Sequence, residues 1–230
     1  MGLLKTKKSE RGFTIAEVSI ASAIFSVILL IALAIFFGIG RLFYKGISVS
    51  QTQEVTQQIY QDIVGNFQGA ASVSPQMEGN SYTYYCVGNT RYTLNFNNEV
   101  DLNNPESHAP PSSGGNFGIL KDTLPGNGSA CDPPCNDQSG TCGSGVQKFQ
   151  NPTELLGQNM RISRFSIAQV TGANPNLYTV SITVAYGDTD LLDGVDGADT
   201  TNPKCKGDIH GSEFCSVNNI STTVYRGLNF

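Results

Sequence analysis

Between Val18 and Gly40 lie 23 consecutive residues without a charge, and the residue just before them is Glu17. At ~1.5 Å of rise per residue such a run makes a helix of about 35 Å, against roughly 30 Å of bilayer hydrocarbon. It can cross a membrane as one helix. Glu17 is the anomaly, because a carboxylate held in hydrocarbon costs on the order of 2.5–3.5 kcal/mol on insertion scales and so needs a partner. Upstream, Lys5, Lys7, Lys8 and Arg11 form a basic leader that ends at Gly12. An ordinary secretory signal is cut after its apolar core. Here the processing point, Gly12, precedes the core, so cleavage removes the cations and leaves the apolar run on the mature chain.

The 230 residues, with a formal charge of -5, leave room for one or two modest domains. Loss of residues 1–12 removes four basic residues and one acid, leaving 10 basic and 18 acidic residues, or -8. The basic residues cluster before the span, which keeps the leader cytoplasmic and exports everything after it. An acidic exported part without a basic stripe excludes nucleic-acid binding through a broad electrostatic surface. All six cysteines, Cys86, Cys131, Cys135, Cys142, Cys205 and Cys215, follow the span. An even number in an exported domain points to disulfides. Zinc is the alternative for the clustered Cys131, Cys135 and Cys142, but no Cys-x-x-Cys pair is present and neither His108 nor His210 completes a ligand set.

Beyond Arg41 the pattern turns amphipathic. Val55, Ile59, Ile63 and Phe67 recur every four residues and are joined by Ala70, with Glu54, Gln57, Gln58 and Gln61 off the stripe. The spacing predicts that the helix continues through residues 41–75, weakened by Gly65 and Gly69 and stopped by Pro75. Gly38, Gly40 and Gly46 mark either a bend or a place of close packing. The alternating residues from Tyr82 to Cys86 and from Tyr92 to Phe96, joined at Gly88-Asn89, predict a hairpin. A strand is predicted from Met160 to Val170, with a bulge where the apolar phase switches between Ile162 and Phe165. Tyr178 to Tyr186 gives the clearest strand, and another runs near Ile220 to Tyr225. Four or five antiparallel strands with one apolar face would cover the helix stripe, giving an α+β layered head over residues 76–230. Residues 97–157, rich in Asn, Pro, Ser and Gly, read as a long irregular insertion, either an interaction surface or a solvated loop.

Five carboxylates, Asp188, Asp190, Asp193, Asp196 and Asp199, fall within twelve residues. Their mutual repulsion would be relieved by a hard cation such as Ca2+. Asp188, Asp190, Asp196 and Asp199 stand at the first, third, ninth and twelfth places of a twelve-residue calcium loop. The likeness then fails: Leu192 takes the fifth place, Asp193 stands where the turning glycine belongs, and the last ligand is Asp rather than Glu. A solvated acidic turn is the alternative, and no other cofactor is expected. Catalytic motifs are absent, with no Gly-x-Ser-x-Gly, His-Glu-x-x-His or phosphate-binding glycine loop. An enzyme is not expected.

A leader ending in Gly12, followed by Phe13 and then Glu17 four positions on, with Thr14 and Ile15 fitting between, resembles the start of type IV pilins and the related pseudopilins. The resemblance covers Met1 to about Pro75. It implies a pilin-like fold with a leader at residues 1–12, an assembly half of the helix at 13–40, an extracytoplasmic half at 41–75 and the head beyond. It also implies cleavage between Gly12 and Phe13 by a prepilin peptidase, N-methylation of Phe13, and a role for Glu17 in assembly, paired with the Phe13 ammonium of a neighbouring subunit. The expected partners are other pilin subunits, the peptidase, the membrane before assembly, and the pilus platform and assembly machinery. Many pilins carry a C-terminal disulfide loop, which points to Cys205–Cys215; some pseudopilins bind calcium near that loop. The long insertion favours a minor pilin that joins, primes or caps a filament. A type II secretion or DNA-uptake pseudopilin is the alternative, and a membrane-anchored extracellular binding protein that never polymerises is the rival of another class.

Overall fold

The computed structural model describes residues 12–74, 76–78, 82–102, 117–124, 131, 134–135, 147–148, 150–172, 174–194, 203–207 and 211–227. One helix, α1 (Ile15–Gln68), opens the chain. It is unbroken through Gly38, Gly40 and Gly46, and no atom lies within 4 Å of where a Cβ would stand on any of them. The helix ends at Gln68, ahead of the expected stop at Pro75. Gly69 disfavours another helical residue by about 1 kcal/mol, and the next residues are claimed by a strand. Ser74 N donates to Cys86 O at 2.9 Å, Gly88 N donates to Ser72 O at 2.8 Å, and Val73 bridges Val87. The chain divides into two units, Met1–Phe43 and Tyr44–Phe230.

In the second unit the strands are β1 (Met77–Glu78), β2 (Thr83–Val87), β3 (Thr90–Leu94), β4 (Ile119–Thr123), β5 (Pro134–Cys135), β6 (Gln147–Lys148), β7 (Thr153–Glu154), β8 (Met160–Gln169), β9 (Leu177–Tyr186), β10 (Leu192–Asp193), β11 (Lys204–Cys205) and β12 (Ser216–Tyr225). They form not one sheet but two larger ones, in the orders β1-β2-β3-β4-β7 and β12-β9-β8, with small pairs β10-β11 and β5-β6. The β2–β3 turn holds Gly88 at φ 58, a left-handed conformation that glycine adopts without a Cβ penalty. The register of β8 on β9 shifts between Ile162 and Arg164, which is the bulge that the phase switch predicts. β12 begins at Ser216, earlier than the expected start near Ile220.

Both larger sheets contribute to one core with α1. Ile59, Ile63, Phe67 and Ala70 are buried against Tyr85, Val87, Tyr92 and Leu94 of the first sheet and Ile162, Phe165, Val180, Ile182 and Val184 of the second. Aromatic contacts tie the layers together, Phe67 to Tyr178 at 5.5 Å and Tyr85 to Phe165 at 5.1 Å between ring centroids. A polar link adds to the apolar one: Asp62 on α1 accepts from Tyr92 Oη at 2.8 Å and pairs with Lys121 of β4. Burial first, and then the bond to Asp62, raises the Tyr92 hydroxyl above the usual tyrosine range; burial alone pushes Tyr85 up to about 12.

The expected irregular insertion at 97–157 needs correction in its content. Ile119–Thr123 is an interior strand of the first sheet, and Val100, Phe117, Ile119, Leu120, Leu124 and Leu156 are buried. The segment also closes the sheet's second face. Cys86, Arg91 and Asp122 stand in register across β2, β3 and β4. Arg91 and Asp122 are fully buried there, with Nε to Oδ1 at 2.9 Å and Nη2 to Oδ2 at 2.6 Å. Gln150 N donates to Asp122 Oδ2 at 3.3 Å, and Cys131 is disulfide-bonded to Cys86. A bidentate pair of this kind is costly to desolvate, and removing either member leaves an uncompensated charge. Nearby, Glu154 accepts N–H bonds from Gly118, Ile119 and Leu156 at 2.8–3.0 Å. Burial nevertheless pushes its carboxyl up, against those donors.

Candidate functional site: the amino-terminal helix end

Gly12, Phe13 and Thr14 precede the first helical residue, Ile15, and all are exposed. Thr14 N donates to Glu17 Oε2 at 2.8 Å and Thr14 Oγ1 donates to the same oxygen at 2.9 Å. In return, Glu17 N donates to Thr14 Oγ1 at 3.3 Å. This is a capping box: threonine at the N-cap and glutamate three residues on satisfy each other's orphan donors. The Thr-x-x-Glu spacing is legible in the sequence as a helix start, a local role for Glu17 beside the assembly role that the pilin resemblance implies. Local capping gives the carboxylate two donors within its own chain. Its charge also favours the positive end of the helix dipole.

From this end to Phe43 the helix exposes a mostly apolar surface, with Phe13, Leu30, Phe36, Leu42 and Phe43 among its large side chains. Ser19, Ser22 and Ser26 turn their hydroxyls back onto carbonyls one turn earlier, at 2.8–2.9 Å, so these three hydroxyls are paired within the helix. The stretch is long and apolar enough to cross a membrane. Such a surface, larger than a water-soluble monomer exposes, requires lipid or neighbouring protein around it.

A second constellation surrounds the carboxy-terminal loop. Cys205 and Cys215 form a disulfide. Lys45 on α1 donates to Ser212 O at 3.4 Å and also to Cys215 O, Ser48 Oγ donates to Glu213 O at 3.2 Å, and Tyr44 packs on Phe214 at 5.3 Å. The loop is thus fastened to the helix where the second unit begins. The buried helix stripe continues toward it as Ser48, Thr52 and Thr56, whose hydroxyls bond within the helix or to the loop. The apolar periodicity gave no sign of these polar members.

Of the other candidate residues, Asp188 is the N-cap of the 3-10 turn Thr189–Leu191, Asp190 lies within that turn and Asp193 lies in β10. A lysine already sits among them: Lys206 Nζ donates to Asp190 O at 2.8 Å and lies 3.8 Å from Asp193 Oδ1. Among the described residues no group of three His, Cys, Asp or Glu side chains is placed to hold a metal ion. Asp196, Asp199, Cys142, His108, His210 and the leader cations lie outside the described residues, and Cys135 is described only through the backbone pairing of β5.

Residues 7–36 match the family model described as the prokaryotic N-terminal methylation motif. No curated protein and no solved structure matches the chain.

Proposed function

We propose that this chain, which carries the N-terminal signature of type IV pilins and pseudopilins, is a minor type IV pilin. It is inserted in the membrane through the first part of α1, cut after Gly12, methylated at Phe13 and then drawn into a filament that it joins, primes or caps. The motif family is structural rather than catalytic, and we assign the chain no enzymatic role. One observation carries the reading: the matched motif opens a helix whose apolar surface is exposed on every side up to Phe43. A filament core of packed helices would replace lipid around that surface as subunits leave the bilayer.

Cleavage creates an ammonium at Phe13, one residue before the capping threonine. In a growing filament the Glu17 carboxylate exchanges its local donors for, or adds to them, the Phe13 ammonium of an adjacent subunit. In a low-dielectric surrounding that attraction is far stronger than in water, which makes the pair a register mark. The test is mass spectrometry of protein from native cells, with a mature terminus at methylated Phe13 expected. An intact Met1 would defeat the assignment. With processing established, Glu17→Ala should be inserted and cleaved yet enter filaments poorly; incorporation equal to wild type would remove the register role. Genes for a retraction ATPase and a pilus platform beside this one favour the pilus, whereas a secretin and secretion ATPase favour a type II secretion pseudopilus.

A further inference from the structure

The carboxy-terminal loop holds one aromatic ring in the open on a firmly fixed backbone. Ser212–Phe214 form a 3-10 turn. Three carbonyls around the ring accept bonds from α1: Lys45 Nζ donates to Ser212 O at 3.4 Å and to Cys215 O, and Ser48 Oγ donates to Glu213 O at 3.2 Å. Cys215 is fully buried and closed onto Cys205. The chain on either side of Phe214 is therefore tied down, yet the Phe214 residue stays 45% exposed. Its ring lies against that of Tyr44, 5.3 Å away between centroids, and Tyr44 is 52% exposed in turn. Ile47 stands three residues on, along the same helix face, and adds a third partly exposed apolar side chain. All three belong to the unit Tyr44–Phe230.

The place of Tyr44 in the chain says what meets this patch. Tyr44 directly follows Phe43, and Arg41 is the first charge after Glu17, so the uncharged run has just ended. A helix rising ~1.5 Å per residue covers about 43 Å from Ile15 to Tyr44, and a bilayer with its headgroup layers is roughly 40–45 Å thick. A chain that crosses the membrane on Val18–Gly40 thus carries Tyr44 into the outer headgroup layer. Contact between the rings carries Phe214 there as well, at whatever angle the rest of the head stands. Aromatic rings favour that layer, where one side is apolar and the other wet.

We infer that Tyr44, Ile47 and Phe214 form a foot set into the outer headgroup layer of the membrane, with phospholipid as the partner. The inference rests on the membrane-anchored reading. A second copy of this chain fits less well. The three side chains expose on the order of 250 Å² together, against about 800 Å² per partner in a standard protein interface. A ring that enters lipid needs no matching surface. The Cys205–Cys215 loop then does more than close the chain, because it sets the depth at which Phe214 is held.

The chain contains no tryptophan, so Phe214→Trp supplies a single fluorescent reporter. The full chain is placed in phosphatidylcholine vesicles, plain or brominated on the acyl carbons nearest the headgroup. A ring at the aromatic-belt level should lose about half of its emission to the bromine and emit to the blue of tryptophan in water. Tyr44→Trp should give the same result, and it replaces Phe214→Trp should that variant melt early. Leu30→Trp, inside the apolar run, should be quenched by bromine placed deeper in the acyl chain. Emission from Phe214→Trp and Tyr44→Trp that is equal in plain and brominated vesicles, with Leu30→Trp quenched, would overturn the proposal and leave the anchor standing. Shielding from aqueous iodide that grows with the protein-to-lipid ratio, without quenching by bromine, would overturn it in favour of a second copy. An unquenched Leu30→Trp would remove the membrane-anchored reading and the foot with it.

Discussion

The two stretches of α1 on either side of Phe43 share one backbone ladder and nothing else. From Ile15 to Phe43 large apolar side chains face outward all round, while from Tyr44 to Gln68 a narrow stripe is buried and most of the exposed flank is polar, with Gln51, Gln53, Glu54, Gln57, Gln58 and Gln61 on it. A helix is satisfied by its own hydrogen bonds whatever surrounds it, so continuity says nothing about solvent. What differs is the source of cover. The second stretch has it within the chain, from two sheets. The first has no such cover within the described residues, and lipid or other protein would supply it.

Substitutions can break that contrast. The largest effect is expected from Phe67→Ala, which empties a fully buried site beside Tyr178 and should cost about 3–5 kcal/mol in denaturant unfolding of the head. Leu29→Ala, in the first stretch, should leave that transition where it was; an equal loss from both would mean that the head depends on the anchor. Asp122→Ala is expected to cost nearly as much, about 3–5 kcal/mol, because it removes the bidentate carboxylate that faces the fully buried Arg91 guanidinium. Replacing both with apolar residues should recover most of the loss in the same assay.

A smaller change should follow from opening the carboxy-terminal loop. Cys205→Ser combined with Cys215→Ser removes a closure of short sequence span, worth roughly 2–3 kcal/mol by the chain-entropy argument. Hydrogen exchange should then rise first around Lys45 and Ser48, where the loop is tied to the helix. Smallest is Thr14→Ala, which removes the capping hydroxyl and should cost about 0.5–2 kcal/mol of local helix stability. Amide exchange near Glu17 would report it, with the unfolding midpoint of the head unchanged.

The legible parts of this molecule were those governed by short periods. Four-residue spacing marked Ile59, Ile63 and Phe67; two-residue spacing marked β9; and a break in that spacing placed the bulge near Ser163. The stripe's continuation through Ser48, Thr52 and Thr56 was not legible, since small hydroxyl residues give no apolar signal. Nor was the hairpin's inner face: Tyr85 and Val87 face the helix core while Tyr84 and Cys86 are buried on the other side, and apolar residues at both phases hide that choice. Arg91 and Asp122 read as surface charges until their registers bring them together.

The order of residues by itself determined a long helix with an outward apolar start, a misplaced acid, and strands enough to cover the rest. These follow from local spacing and from the cost of placing charge in oil. Tertiary structure alone decided that there are two larger sheets, that part of a glycine-rich stretch becomes an interior strand, that Cys86 meets Cys131, and that Phe214 is held against Tyr44. Each of these depends on contacts between residues far apart in the chain, whose energies no local pattern contains.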